Sequence, residues 1–197
     1  IIDYSIHNKT LVYMENFDPT LEALPAGWSQ VQGSPEDNAM VQGEEYYSAP
    51  NSLSVHEEGA DEDNCKVSLD LNLTGSFMFE MMYKLRGGDA GRGVFQFMNE
   101  EGEECISVNC LIGYRWGNRQ PDYWRALRYL PAPEADEWYN VSIIGLKEEG
   151  KVGVMANGVS SEWLDAQREW DRITAVNLRG NYNYPADSWY DDIKVST

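Results

Sequence analysis

The strongest constraint on this chain is a side-chain period of two. In "SFMFEMMYKL", Phe77, Phe79, Met81, Tyr83 and Leu85 fall on one face, with Met78, Glu80, Met82 and Lys84 between them. Such alternation marks a β-strand with one buried face, whereas a helix groups its apolar residues every three or four positions. "WYNVSIIG" repeats it with Tyr139, Val141 and Ile143, "KVGVMANG" with Val152, Val154 and Ala156, and "TAVNLRG" with Val176 and Leu178. Turn chemistry separates these runs. "RGGDAGRG" lies between Leu85 and Val94, and "NEEGEE" between Met98 and Cys105. "KEEGK" predicts a hairpin with Gly150 in the left-handed conformation. Short strands at this spacing predict an all-β fold of more than ten strands, a two-sheet antiparallel jelly-roll sandwich. A length of 197 residues suits one such domain.

Three segments need separate treatment. In "SEWLDAQREWDRI", Trp163, Leu164, Trp170 and Ile173 have helix-compatible spacing, which predicts a short helical segment near residues 162–172. Residues 1–13 lack a clear period and read as an extended N-terminal lead-in to a single domain over 14–197. In "SWYDDIKVST", strict alternation places Trp189, Asp191, Ile193 and Val195 on one buried face. An unpaired buried carboxylate is costly, so Asp191 needs a partner. A metal ion, backbone N–H groups or an arginine such as Arg172 would each serve.

The formal charge of −18, from 33 acidic and 15 basic residues, argues against nucleic acid and anionic membranes as partners. No apolar run has the length of a membrane span, so membrane insertion is not expected. Three cysteines, Cys65, Cys105 and Cys110, lack metal or redox spacing. Parity turns Cys65 and Cys110 inward, as a buried disulfide or as two inert thiols. The triplets at Asn8, Asn72 and Asn140 would be glycosylatable outside a cell and point to an extracellular, secreted or cell-surface protein.

Several phrases, taken in order, resemble concanavalin A-like (laminin G-like) jelly rolls. They are "MENFDPTLEALPAGW", "YYSAPNSLSV", "DEWYNVSIIGLKEEGKVGVMANG", and "DRITAVNLRG" followed by "SWYDDIKV", together spanning residues 14–195. The galactose-binding-like jelly roll, with a similar D-D close, is the neighbouring alternative. The resemblance implies that the first and last strands, near 10–18 and 188–196, lie side by side. It also implies a structural calcium ion held by Glu15, Asp18, Asp191 and Asp192, a set with the hard oxygen donors calcium prefers.

Catalytic signals are weak. Glycosidases of this fold carry alternating glutamates on one strand, and here Glu80 stands alone in "FMFEMMY". Glu100–Glu104 contains the right residue types, but in a glycine turn. His7 and His56 have no Ser or Cys partner. "HEEGADED" reads as an acidic loop or a second calcium site. A hydrolase is therefore unsupported, while a lyase using Tyr, Arg and His stays open. "YRWGNRQPDYWRALRYL" is more informative, because it gathers aromatic rings with Arg115, Arg119, Arg125 and Arg128. Aromatic faces stack on sugars and arginines donate to hydroxyls and carboxylates. Tyr114, Trp116, Tyr123, Trp124 and Arg125 form the expected ligand surface, joined by Tyr182 and Tyr184; the bland alternative is a strand whose aromatics complete the core. The sequence thus predicts a non-catalytic carbohydrate-binding or adhesion module that recognises a cell-surface or other glycan. The alternative is a structural subunit that assembles with copies of itself through residues 1–13, and a glycan-active hydrolase or lyase ranks below both.

Overall fold

The computed structural model describes residues 9–17, 23–33, 38–48, 50–57, 65–87, 92–113, 115–120, 123–180 and 186–197. Among them are sixteen strands and no helix. They are β1 (Leu11–Glu15), β2 (Trp28–Gln32), β3 (Asn38–Gln42), β4 (Ser52–Glu57), β5 (Lys66–Thr74), β6 (Phe77–Gly87), β7 (Arg92–Asn99) and β8 (Glu104–Leu111). After these come β9 (Arg115–Arg119), β10 (Trp124–Ala126), β11 (Trp138–Leu146), β12 (Lys151–Ala156), β13 (Val159–Ser160), β14 (Leu164–Asp165), β15 (Arg172–Arg179) and β16 (Ala186–Ser196).

The strands form two antiparallel sheets, as the period-two pattern requires. The nine-stranded sheet runs β13-β12-β11-β6-β16-β4-β3, with β1 also on β16 and β14 on β12. The seven-stranded sheet runs β10-β9-β8-β7-β15-β5-β2. The alternating apolar residues of β6 and β7 meet between them. Phe77 lies 5.0 Å from Phe97, and Tyr83 5.0 Å from Phe95, centroid to centroid. The chain's first and last strands are adjacent, with Thr10 and Thr197 exchanging backbone hydrogen bonds of 2.8 and 3.0 Å. Gly150, at φ 60°, closes the β11–β12 hairpin by donating its N–H to the Lys147 carbonyl at 3.1 Å.

The expected helical segment near 162–172 is instead an extended strap. Leu164 and Asp165 pair with Val152 and Lys151 of β12. The Gln167 and Arg168 N–H groups both donate to the Cys105 carbonyl, and Trp170 buries its ring beside Phe77. Leu164 and Trp170 reach the core one at a time from irregular backbone, whose N–H groups bond to neighbouring elements and not to one another. The three cysteines are free buried thiols, so no disulfide joins Cys65 to Cys110. Burial pushes the Cys105 thiol up to about 12 and the Cys110 thiol up as well, which leaves both unreactive.

Strict alternation fails in β16. Asp191 pairs with Met82 of β6, and Lys194 with Glu80, so three steps on β16 match two on β6. This is a β-bulge, with Asp192 at φ 49°. It turns Tyr190, Ile193 and Val195 inward, and leaves Trp189 and Asp191 on the sheet's outer side. Asp191 is nonetheless 0% exposed, because the 43–48 loop folds over it.

Candidate functional site

Asp191 has its partners in the chain. Its Oδ2 accepts from the Tyr47 and Ser48 N–H groups at 3.0 and 2.8 Å, and its Oδ1 from the Asp192 N–H at 2.8 Å. Ser48 Oγ donates to Asp192 Oδ1 at 2.9 Å. Burial raises the Asp191 pKa above the ordinary aspartate value, and the three N–H groups oppose that rise. Glu15 folds back to accept the Phe17 N–H at 2.9 Å. Asp18 lies outside the described residues. Among those described, no group of three or more His, Cys, Asp or Glu side chains could hold a metal ion. The described members of the four-carboxylate set thus take backbone N–H groups and the Ser48 hydroxyl as partners.

The aromatic–arginine stretch divides by strand parity. Trp116, on β9, is 0% exposed and packs edge-on against Tyr139 in the core, so it offers no ring to a ligand. Tyr123 is 57% exposed just before β10. Trp124 pairs with Arg119, is half-buried, and lies on the outer face of the seven-stranded sheet. Arg125 pairs with Asn118 and points to the opposite side from Trp124. Its expected place is taken by two other arginines. The Arg92 guanidinium lies 4.7 Å from the centre of the Trp124 ring, and that of Arg119 5.7 Å. Tyr114, Tyr182 and Tyr184 lie outside the described residues.

The rest of this outer face is mostly polar, and Ser68, Val94, Ser107, Asn109 and Asn177 on it are buried. One row across the strands reads Ser29, Ser68, Asn177, Gln96 and Ser107, continuing through Arg119 to Trp124. The next reads Gln32, Lys66, Arg179, Val94, Asn109 and Gly117. Gly117 is needed here, because a Cβ at that position would overlap the Asn109 side-chain oxygen. Ser107 Oγ and Asn109 Oδ1 are buried and have no hydrogen-bond partner among the described residues. Gln96 donates to Glu104. Burial and the neighbouring Arg179 charge pull the Lys66 pKa below the ordinary lysine value, while Glu104 pulls the other way. Lys66, Arg92 and Arg179 come from strands far from the aromatic stretch in sequence. Their parity, opposite to Val67, Phe95 and Leu178, was readable; the order of the strands that unites them was not.

The outer side of the nine-stranded sheet holds a groove of about 670 Å³ lined by His56, Asp187, Arg86, Glu45 and Trp189. Its His56, Asp187, Arg86 and Glu45 charges are paired within the chain. His56 bonds Asp187, while Glu45 accepts from Lys84 at 2.9 Å and Arg86 at 2.7 Å. Those two hydrogen bonds hold Glu45 below the usual carboxylate range. Glu80 sits between Ser142 and Lys194 in the sheet, without a carboxylate beside it in register. Glu100 accepts the Arg172 N–H at 2.9 Å and Glu103 pairs with Arg168 at 3.1 Å, so the glutamate turn braces the 168–172 strap.

No protein-family model matches the chain, and a search of curated proteins finds no match. Solved structures do resemble it. An endo-β-1,4-glucuronan lyase from the fungus Trichoderma reesei superposes with a TM-score of 0.69 at 12% identity, covering 95% of this chain and 96% of the lyase. SCLam, a non-specific endo-β-1,3(4)-glucanase of family GH16, gives 0.67 at 13%, covering 97% and 92%. A sialidase gives 0.71 at 11% over 87% of this chain, which spans 17% of the sialidase's length. The likeness lies in the architecture, and the fold is that of the concanavalin A-like jelly rolls.

Proposed function

We propose that this protein is a non-catalytic carbohydrate-binding module, acting outside the cell, whose ligand lies on the outer face of the seven-stranded sheet. The observation that carries this reading is the half-buried Trp124 ring on that face, with the Arg92 and Arg119 guanidiniums 4.7 and 5.7 Å from its centre. Gln96 and Ser29 also stand on this face, above a buried polar layer of Ser68, Ser107, Asn109 and Asn177. The resemblance to a glucanase and a glucuronan lyase supports a glycan as the partner class. The exposed Asn72 and Asn140 acceptors are consistent with an extracellular setting.

A hydrolytic role on this face is disfavoured by distance. Among the described residues, the carboxylates that the register places there are Glu104 and Asp70, on β8 and β5. Three strand spacings separate them, roughly 14 Å. Glycosidases need about 5 to 9.5 Å. Titration with oligosaccharides, followed by tryptophan fluorescence, tests the binding role. Trp124→Ala should weaken binding about tenfold, through loss of ring contact and of the two guanidinium positions. Unchanged affinity in Trp124→Ala would place the ligand elsewhere.

A second reading, assembly with copies of itself, is favoured by β1. Among the described strands β1 pairs with β16 alone, and it exposes Leu11, Val12 and Met14. In the single chain β1 pairs with β16, so donation would require this strand to exchange between copies. Size-exclusion chromatography separates the two readings: a binding module should give a concentration-independent monomer, and a ladder of higher oligomers would favour assembly.

A further inference from the structure

We infer that Asn72 is a modification site, carrying an N-linked glycan whose first sugars lie over the groove between β1 and β5. This rests on the extracellular reading and adds a covalent site with a role of its own.

Two free strand edges meet at this groove. Among the described strands, β1 pairs with β16 alone. β2 flanks β5 from Lys66 to Leu69, and the Asp70 N–H donates to the Gly27 carbonyl at 2.9 Å. From Leu71 to Thr74, no described strand flanks β5 on that side. The groove between the two edges, about 370 Å³, is lined by Val12, Tyr13, Asp70, Leu71, Asn72 and Leu73. Val12 is 49% exposed, and Leu11 and Met14 beside it are 54% and 55% exposed. Unpaired edges with exposed apolar side chains invite pairing with another chain, and natural sheets cover or charge them. Leu11 to Met14 carry no charge, so a cover has to come from outside β1.

The triplet Asn72-Leu73-Thr74 supplies one. Strand parity turns Leu73 into the core and leaves Asn72 and Thr74 exposed on the outer face. The amide and the hydroxyl that such a triplet needs are thus both accessible, at the end of β5 just before the bend at Gly75. The triplet Asn140-Val141-Ser142 differs, because Ser142 is 2% exposed in the middle of β11, between β6 and β12. The donor would be an oligosaccharide on a polyprenyl pyrophosphate, used by a transferase of the secretory route. Asn72 Nδ2 attacks the anomeric carbon, a C–N bond forms, the C–O bond to pyrophosphate breaks, and Nδ2 loses one proton. A glycan is bulky and solubilising. Rooted in the groove lining, it excludes a second strand from both edges. β5 lies five strand spacings from β10, roughly 24 Å, so Trp124 stays open to ligand.

The test is site mapping by mass spectrometry, after glycan release by an amidase in heavy-oxygen water. Two preparations are compared: the protein isolated from its own source, and the same chain secreted by yeast behind a signal peptide. The heavy label should appear at Asn72 in both. Label at Asn140 alone, or at neither triplet, in the yeast product would overturn the site. Label at Asn72 in the yeast product but not at source would overturn the extracellular reading and the modification together, while the sugar titration of Trp124 stands on its own. The covering role is read by size-exclusion chromatography. With its glycan in place the yeast product should elute as a monomer at every concentration. Asn72→Gln and the amidase-treated wild type, each shown to be folded by circular dichroism, should shift to the size of a dimer or larger as concentration rises. Identical elution of all three would overturn the covering role. Oligomers with the glycan in place would also overturn it, and would favour assembly.

Discussion

Replacing Gly93 with Ala should destabilise the fold by about 3 kcal/mol, the upper end of what overpacking a well-filled core costs. A Cβ at this position would overlap the Tyr83 hydroxyl and stand 2.8 Å from the ring carbon that bears it. Tyr83 cannot give way, since its ring is fully buried against Phe95 and Tyr190. The two strands meet across the sandwich here, so the clash would push the sheets apart. Tyr83→Phe should behave differently. The hydroxyl is buried with no hydrogen-bond partner among the described residues, so its removal should change stability by less than about 1 kcal/mol. In the double variant, the Tyr83→Phe change should restore part of the loss by removing the nearest overlap. Chemical denaturation of the four proteins measures this coupling. Additive effects would mean that Gly93 matters for some other reason.

The second large effect is expected at Asp191. Asp191→Ala should cost about 3 kcal/mol, because it strands the Tyr47, Ser48 and Asp192 N–H groups under a loop that excludes water. The same change should free the 43–48 loop and so loosen Glu45 from Lys84 and Arg86. Hydrogen exchange at Tyr47 and Ser48 would report this directly. The pH dependence has a definite sign. The folded-state pKa of Asp191 is raised above the ordinary value, chiefly by burial. Its contribution is therefore full below the usual aspartate range of about 3.9 and declines as pH rises through the folded value. Glu45, held low by its two cations, contributes oppositely: its stabilisation is present above the ordinary glutamate range and is lost on acidification. If Glu15, Asp18, Asp191 and Asp192 hold calcium, the wild-type protein should melt higher with calcium than with chelator. A clear rise with calcium would mean that the ion displaces the N–H groups from Asp191.

These two residues also mark how far the sequence could be read. Alternation at Phe77, Phe79, Met81, Tyr83 and Leu85 defined the inward face of β6 correctly, because a regular strand has only two faces. The turn at Gly150 followed from the left-handed conformation it had to adopt. Parity misassigned Asp191, since one extra residue in a bulge reverses every side chain before it, and nothing in "YDDIK" announces that insertion except the second aspartate. The strap at 162–172 misled for a related reason: three or four buried residues at irregular spacing imitate a helical stripe. At the candidate site, the sequence found Trp124 but grouped it with residues adjacent in the chain. Trp116 and Arg125 lie on the wrong sides of their strands. The true neighbours of Trp124 include Arg92, brought beside it by the order β10-β9-β8-β7, and that order is a property of the folded sheet.

The central claim is that ligand lies on the seven-stranded sheet. Amide chemical-shift mapping with an oligosaccharide that binds tests it most directly. The account predicts perturbations concentrated at Lys66, Gln96, Asn109, Arg119, Trp124 and Arg179, with little change on the other sheet. Perturbations centred on His56, Arg86, Asp187 and Trp189 would place the ligand in the groove of the nine-stranded sheet and contradict it.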